Sequence, residues 1–392
     1  MTRIQVVILG GGYAGTLAAN RLRRNPAVDI TVVNPRPVFV ERIRLHQYIA
    51  GTGTATVDYS ELLGDGIGLL VDSATAIDAA DRRIRLASGT VLRYDYLIYA
   101  VGSTGAITPA VPGAAEFAYS MSEFESAARL LARLDTVDPE AAVTVVGGGL
   151  TGIEAAAELA APGRAVTLVC GGRLGPSLHA AGRHSVAKAL RKLGVAVREA
   201  AVVAEVRPDA VVLDDGTVLP SAVTVWTAGF GVPDLAATSG LATDTLGRLL
   251  TDETLTSVDN PWIVAAGDAV APSGRPLRMS CQAALPLGAQ AANTVLARIA
   301  DTAPAAVDQA FAAQCISVGR HAATVQMSHR DDTPIKAFAG GRLGAVVKEA
   351  ICRSTVKWIR GEAIAPGSYR WMKSGTRTAQ PAPGQGRREA AV

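Results

Sequence analysis

The sequence predicts an α/β protein made of two parallel-sheet units followed by a small C-terminal α+β cap. Three observations carry this. A strand–glycine turn–helix–strand pattern occurs twice, its strands are uninterrupted β-branched apolar runs, and the pattern changes character beyond about Ala312. Uninterrupted apolar strands separated by helices fit a parallel sheet covered on both faces.

The first pattern opens with the strand Ile4 to Leu9, turns through Gly10-Gly-Gly-Tyr-Ala-Gly15, continues as an Ala/Leu-rich helix to Arg24 and returns as a strand, Ile30 to Val33. The second repeats it: Ala142 to Val146, then Gly147-Gly-Gly-Leu-Thr-Gly152, a helix through Glu154 and Glu158, and the strand Val166 to Val169. Leu97 to Gly102 is a further buried-strand run, echoed after the second unit by Val223 to Gly229. Ile263 to Ala266 is one more strand, closed by Gly267-Asp268, and Ser280 to Arg298 turns helical. In the cap, Cys315 to Met327 reads as a hairpin around Gly319 and Leu343 to Arg360 as a helix. The Pro/Gly/Arg-rich tail, 376–392, reads as disordered.

Composition narrows the class. A chain of 392 residues, half of them apolar, can bury two or three cores. A net charge of +3 is small for this length and gives no case for nucleic acid. The four cysteines (Cys170, Cys281, Cys315, Cys352) form no CxxC or CxxxxC pair, which argues against a disulfide framework and a redox dithiol and leaves isolated, semi-buried thiols. No metal-ligand spacing is present. The N-terminus runs directly into a strand without a signal-peptide pattern, and no run reaches about 18 apolar residues. The expected address is the cytoplasm.

The glycine turns carry the chemistry. In Gly10-x-Gly12-x-x-Gly15 the first glycine permits the tight turn, the second lets a pyrophosphate approach the backbone, and the third lets the helix pack on the strand. Helix N–H groups, here following Tyr13 and Ala14, face the anion. Gly147, Gly149 and Gly152, with Leu150 and Thr151, repeat this. Both units are therefore of the Rossmann dinucleotide-binding type. The acid that usually grips a ribose at the end of the second strand is absent from both: Asn34 stands there in the first unit, Cys170 in the second. Without a carboxylate at Cys170 nothing there repels a 2′-phosphate, and Arg173 could contact one, so NADPH is admitted beside NADH and could be the preferred nucleotide. Asp268, at a strand end, faces the mouth of the sheet, where a ribityl hydroxyl could donate to it.

These residues together resemble the FAD-dependent pyridine nucleotide-disulfide oxidoreductase superfamily, and within it the type II NADH dehydrogenase-like branch, which lacks the dithiol. The match covers about residues 3 to 300 and is most specific over Gly147 to Ala160 and at Gly267-Asp268. The resemblance implies that Gly10, Gly12 and Gly15 hold the FAD pyrophosphate and Asp268 the ribityl chain. Gly102 would lie near the flavin at the domain crossover, with Gly229 at the matching strand end of the second unit. Gly147, Gly149, Gly152 and Glu154 would form the NAD(P)H site. Gln282-Ala283 would start a helix aimed at the pyrimidine end of the isoalloxazine. The flavin carries the reaction, so no side chain is a required nucleophile; Glu154 and Gln282 are the candidates for a catalytic part.

The implied domains are a discontinuous FAD domain (1–112 and 236–310), an inserted NAD(P)H domain (113–235), and a cap (311–375). The implied activity is hydride transfer from NAD(P)H to FAD, then electron delivery to an acceptor, a quinone first of all. A ferredoxin- or rubredoxin-type carrier reductase shares every motif used here, and a slow flavin-bearing redox sensor is a third reading. A Baeyer–Villiger monooxygenase would show an FxGxxxHxxxW-like signature, which is absent. Two departures bear on the acceptor. The branch's quinone-site helix usually has a second glutamine four residues after the first, where this chain has Pro286. The segment Val40 to His46 is basic, and Arg42, Arg44 and His46 could meet an anionic acceptor or the cofactor phosphates. In the C-terminal helix, Val347, Ile351 and Trp358 share a face and Lys348, Arg353, Lys357 and Arg360 make the remainder basic. The helix either docks on its own domain or lets 344–361 lie on an anionic membrane, at its inner face. A homodimer is admitted.

Overall fold

A computed structural model describes residues 3–106 and 110–375. The tail expected to be disordered lies outside the described residues.

Both predicted units are parallel sheets. In the first, Ile4–Leu9 pairs with Val28–Asn34 on one side and Tyr96–Tyr99 on the other; Ile67–Val71 and Ile263–Ala265 complete the two edges. Numbered along the chain, the spatial order is 5-4-1-2-3. This is the doubly wound arrangement, whose crevice opens at the carboxyl ends of strands 1 and 4, where the winding reverses. Gly10 follows strand 1 and Ala100 to Gly102 follow strand 4, so both predicted segments meet at that switch point. The fifth strand, Ile263–Ala265, joins the sheet after the whole second unit has intervened.

The second sheet has the order Ala118–Ser120, Val223–Trp226, Val143–Val146, Val166–Val169, Ala196–Arg198, again all parallel. Its switch point lies between Val143–Val146 and Val223–Trp226, which places Gly147 beside Thr227 to Gly229. In each unit an antiparallel three-stranded meander replaces the helix expected before the fourth long strand: Ala74–Asp78, Arg83–Leu86 and Val91–Arg93 in one, Val203–Val206, Ala210–Leu213 and Val218–Pro220 in the other. Their turns, Ser88-Gly89 and Asp215-Gly216, are ordinary hairpin dipeptides.

The helix Tyr13–Leu22 is buried at every residue. It runs between the sheet, the helix Cys281–Ile299 and the C-terminal helix Gly341–Ile364. The close crossing needs Gly288, where a Cβ would lie 2.2 Å from Ala14 O. Pro286 sits inside Cys281–Ile299 and cannot donate to the Gln282 carbonyl; Gln309 Nε2 donates to it instead, at 2.7 Å.

In the cap, Ala313–Ser317 and Ala323–Ser328 form the predicted hairpin, with Gly319 in the loop. A third strand, Pro334–Gly340, was not foreseen. The last helix docks through Gly344, Lys348, Cys352, Thr355, Val356, Ile359 and Glu362. This corrects the expected helix face. Lys348 is on the buried side, and Arg353 and Arg360 pair with Glu349 and Glu61. Only Lys357, of the four basic residues named, has no partner among the described residues.

Candidate functional site at the two glycine turns

The two turns are sterically alike. At Gly10 (φ +101°) a Cβ would lie 2.3 Å from Ala100 O, and at Gly15 one would lie 1.8 Å from Gly10 O. At Gly147 (φ +122°) it would lie 2.6 Å from Thr227 Oγ1, and at Gly152 1.9 Å from Gly147 O. The first and third glycines are thus demanded by the fold itself. The middle ones differ: a Cβ at Gly12 or Gly149 meets no protein atom within 4 Å. Each middle glycine also starts its helix, with no capping side chain and no acid in the first turn. Free first-turn N–H groups and an open backbone are what a dinucleotide pyrophosphate requires.

Each turn is braced from its own sheet. Asn34 Oδ1 accepts from Gly11 N at 2.9 Å, and its Nδ2 donates to Arg36 O. The amide expected to grip a ribose is therefore also the buttress of the turn. Tyr59 Oη and Thr16 Oγ1 both donate to Gly11 O. In the second unit Gly148 N donates to Cys170 O, at 3.3 Å.

Both helix starts open on one cavity of about 650 Å³. Gly12, Tyr13 and Ala14 line it from the first unit, and Leu150, Thr151 and Glu154 from the second. Gly102, Asp268, Gln282 and Arg42 line it as well. Gly10, Gly15, Gly147 and Gly152 stand behind the wall, as their steric part requires. Cys170, Arg173 and Gly229 do not line this cavity; Cys170 lies against the second glycine turn, at the end of Val166–Val169, and Arg173 in the exposed segment that follows it. Ala283 is buried, and its N–H donates to Ser280, which caps the helix; its amide is therefore engaged within the protein.

Asp268 is held by a chain of bonds absent from the sequence reading. Ser103 Oγ donates to Asp268 Oδ2 at 2.7 Å, while Arg42 Nη1 donates to Ser103 O at 2.8 Å and to its Oγ at 3.0 Å. Arg42 Nε reaches Ser122 O, at the start of the second unit. Burial pulls the Arg42 guanidinium below its ordinary value, and the Asp268 charge opposes that. Arg44, grouped with Arg42 by sequence, turns away: it forks onto Glu349 at 3.1 Å and also meets Glu41.

Glu154 joins three elements. Its Oε1 accepts from Ser317 N at 2.9 Å and from Lys348 Nζ; its Oε2 lies 3.6 Å from His46 Nδ1. Burial holds His46 well below its usual range, with Lys348, Arg44 and Arg320 adding to this, so the ring is neutral at pH 7. Burial likewise pulls Lys348 down to about 8. Both line the cavity, and Lys348 is the functional candidate whose place the helix-face reading missed.

The cysteines are the free thiols expected, and the structure adds where they meet. Cys281, Cys315 and Cys352 line the same cavity, although far apart in the chain. All are free thiols, and burial pushes Cys281 and Cys315 up to about 12, so they stand protonated. No sequence spacing could have revealed this convergence.

Fold and site together define a two-unit protein of the dinucleotide-binding class, with the helix starts of both glycine turns lining one cavity. The chain belongs to the pyridine nucleotide-disulphide oxidoreductase family, whose model matches residues 4–310. It is an NAD(P)H oxidoreductase that uses FAD. It is 34% identical over 328 residues to an NADH dehydrogenase-like protein of Mycobacterium tuberculosis, covering 76% of this chain and 80% of that one. It is also 28% identical to the type II NADH:quinone oxidoreductase of the same species, over 77% and 74% of the two chains. The solved structure of NDH2 from Plasmodium falciparum shares its fold, with a TM-score of 0.76 at 16% identity over 94% of this chain and 99% of that one.

Proposed function

We propose that this chain oxidises NADH, or NADPH, at FAD and passes the electrons to a quinone. The observation that carries the reading is the single cavity lined by both glycine-turn helix starts, where two dinucleotides would meet. The likeness to a type II NADH:quinone oxidoreductase supports the acceptor class.

The residues present fit FAD. In this reading the first turn and the N-terminus of Tyr13–Leu22 hold its pyrophosphate, and Asp268, oriented by Ser103, accepts from its sugar chain. Arg42 and Gly102 stand beside it. Asn34 stays near the adenosine ribose while bracing Gly11. Gln282 and the N-terminus of Cys281–Ile299 face the cavity, where the helix field favours negative charge. When bound, the flavin supplies a hydride-accepting ring and stores two electrons. The second turn, with Gly147, Gly149, Leu150, Thr151 and Gly152, holds NAD(P)H, and Ala100 to Gly102 and Thr227 to Gly229 close the switch points. Glu154 positions Lys348, whose ammonium is a proton donor at the cavity wall. The domain division is proposed at residues 113 and 235, with the cap from 311.

No helix among the described residues is long and apolar enough to cross a membrane. Contact with lipid would instead use the outer side of the last helix, where Leu343, Val346 and Trp358 are exposed. With Arg353 and Arg360 paired, this contact rests mainly on apolar burial.

Anaerobic stopped-flow tests the reading. NADH should bleach the flavin absorbance, and menaquinone should then restore it rapidly. Restoration by ferredoxin alone would reassign the protein as a carrier reductase. Failure of both nucleotides to bleach it would remove the central claim.

A further inference from the structure

Sequence alone leaves the second unit open to a 2′-phosphate, because Cys170 occupies the strand end where a carboxylate is expected. The neighbouring strand changes this. Val166–Val169 and Ala196–Arg198 are parallel and in register, with Val169 opposite Arg198, so both strands end at the same edge. The residue that follows the second of them is Glu199.

The segment after Cys170 closes around Glu199. Cys170 N donates to Arg198 O at 2.9 Å, Gly172 N to Glu199 O at 2.8 Å, and Gly171 N to Ala201 O at 3.0 Å. The Glu199 carboxylate itself accepts from Leu174 N, at 2.8 Å through Oε1. The same segment is tied back to the glycine turn, since Gly175 N donates to Gly148 O at 2.8 Å. The second carboxylate oxygen has no hydrogen bond among the described residues. The charge also reaches the thiol it stands beside: burial first, and then Glu199, push Cys170 up to about 11. Arg173, the residue that would welcome a phosphate, is exposed and has no partner among the described residues.

We infer that Glu199 supplies from the adjacent strand the carboxylate that position 170 lacks, and that it makes the second unit select NADH over NADPH. The inference rests on the reading of that unit as the nicotinamide dinucleotide site. A carboxylate at this edge accepts from the ribose hydroxyls of NADH. It also repels the dianionic 2′-phosphate of NADPH, and like charges placed together are the usual means of excluding a near-identical ligand. Anchoring by Leu174 fixes the carboxylate, so it cannot simply swing away from the phosphate.

The test compares flavin reduction by NADH and by NADPH in the FAD-loaded wild type, Glu199→Gln and Glu199→Asp, with flavin content checked for each. The wild type should favour NADH in kcat/KM by about tenfold or more. Glu199→Gln keeps the shape and should lower that ratio by about tenfold, chiefly through a smaller KM for NADPH. Glu199→Asp should retain part of the preference. A general loss of structure would slow both nucleotides together and leave their ratio in place. A wild type that favours NADPH, or a ratio unmoved in Glu199→Gln while NADH still reduces the flavin, would overturn the inference alone. Reduction by neither nucleotide in the wild type would overturn the reading of the site along with it. Should Glu199→Gln lose flavin, the salt dependence of the wild-type ratio decides: preference must fall as ionic strength rises, and a flat profile refutes the role.

Discussion

Ser103 Oγ donates to Asp268 Oδ2 at 2.7 Å across 165 residues of chain, joining the loop after the fourth strand to the turn after the fifth. The bond orients the carboxylate from the side, and its other oxygen has no side-chain hydrogen bond among the described residues. Asp268→Ala should yield largely apoprotein on purification. Ser103→Ala should keep much of its flavin but bind it roughly ten- to a hundredfold more weakly, as expected for the loss of one charge-assisted hydrogen bond worth roughly 1.5–3 kcal/mol. Absorbance of the purified proteins measures both, and a full flavin complement in Asp268→Ala would remove its assigned part.

The glycines of each turn separate into two mutant classes. Gly15→Ala and Gly152→Ala force a Cβ onto a carbonyl oxygen and should lower thermal stability with or without cofactor. Gly12→Ala meets no protein atom, so the chain should fold normally and lose FAD. Gly149→Ala should keep FAD and lose reduction by NADH. Melting curves with flavin content, followed by stopped-flow reduction, distinguish the four.

Arg21 and Glu362 form an ion pair buried between the first helix and the last, 2.7 Å apart. Arg21 also donates to Tyr369 O, and Glu362 accepts from Gly367 N and Tyr369 N. Removing one partner strands a buried charge, so Arg21→Met should cost about 3–5 kcal/mol in denaturant unfolding. A change near zero would mean that the helix is not held there.

Lys348 sets a pH dependence with a definite sign. Its folded value, about 8, lies below its ordinary 10.5. Between these values the unfolded chain binds a proton that the folded chain does not, so this residue makes stability rise with pH across that window. Below pH 8 the full penalty is present. Lys348→Met should flatten the rise in a pH series of melting temperatures. In the wild type, reoxidation by quinone should slow as pH passes 8, while reduction by NADH changes less.

Much of this was legible in the sequence for a physical reason. The glycine turns are local, and their spacing is forced by contacts within one turn of chain. The parallel strands had to be apolar throughout because both faces are covered. What stayed hidden depends on distant partners. The meanders are short strands with half-exposed alternation, easily taken for loops. Lys348 reads as solvent-facing because it is grouped with Arg353, Lys357 and Arg360 on one helix, and only Glu154, on another element, explains its burial. Cys281, Cys315 and Cys352 meet only through the packing of three elements. Glu199 reaches the ribose edge through strand register, which no linear motif encodes.

The last helix touches both dinucleotide units at once: Glu362 holds Arg21 in the first, and Lys348 holds Glu154 in the second. It is therefore a cross-brace. A hinge between the two sheets would have to break a buried ion pair at one end or the other. The two halves must then work in a fixed relative pose rather than by rotation of one half against its neighbour.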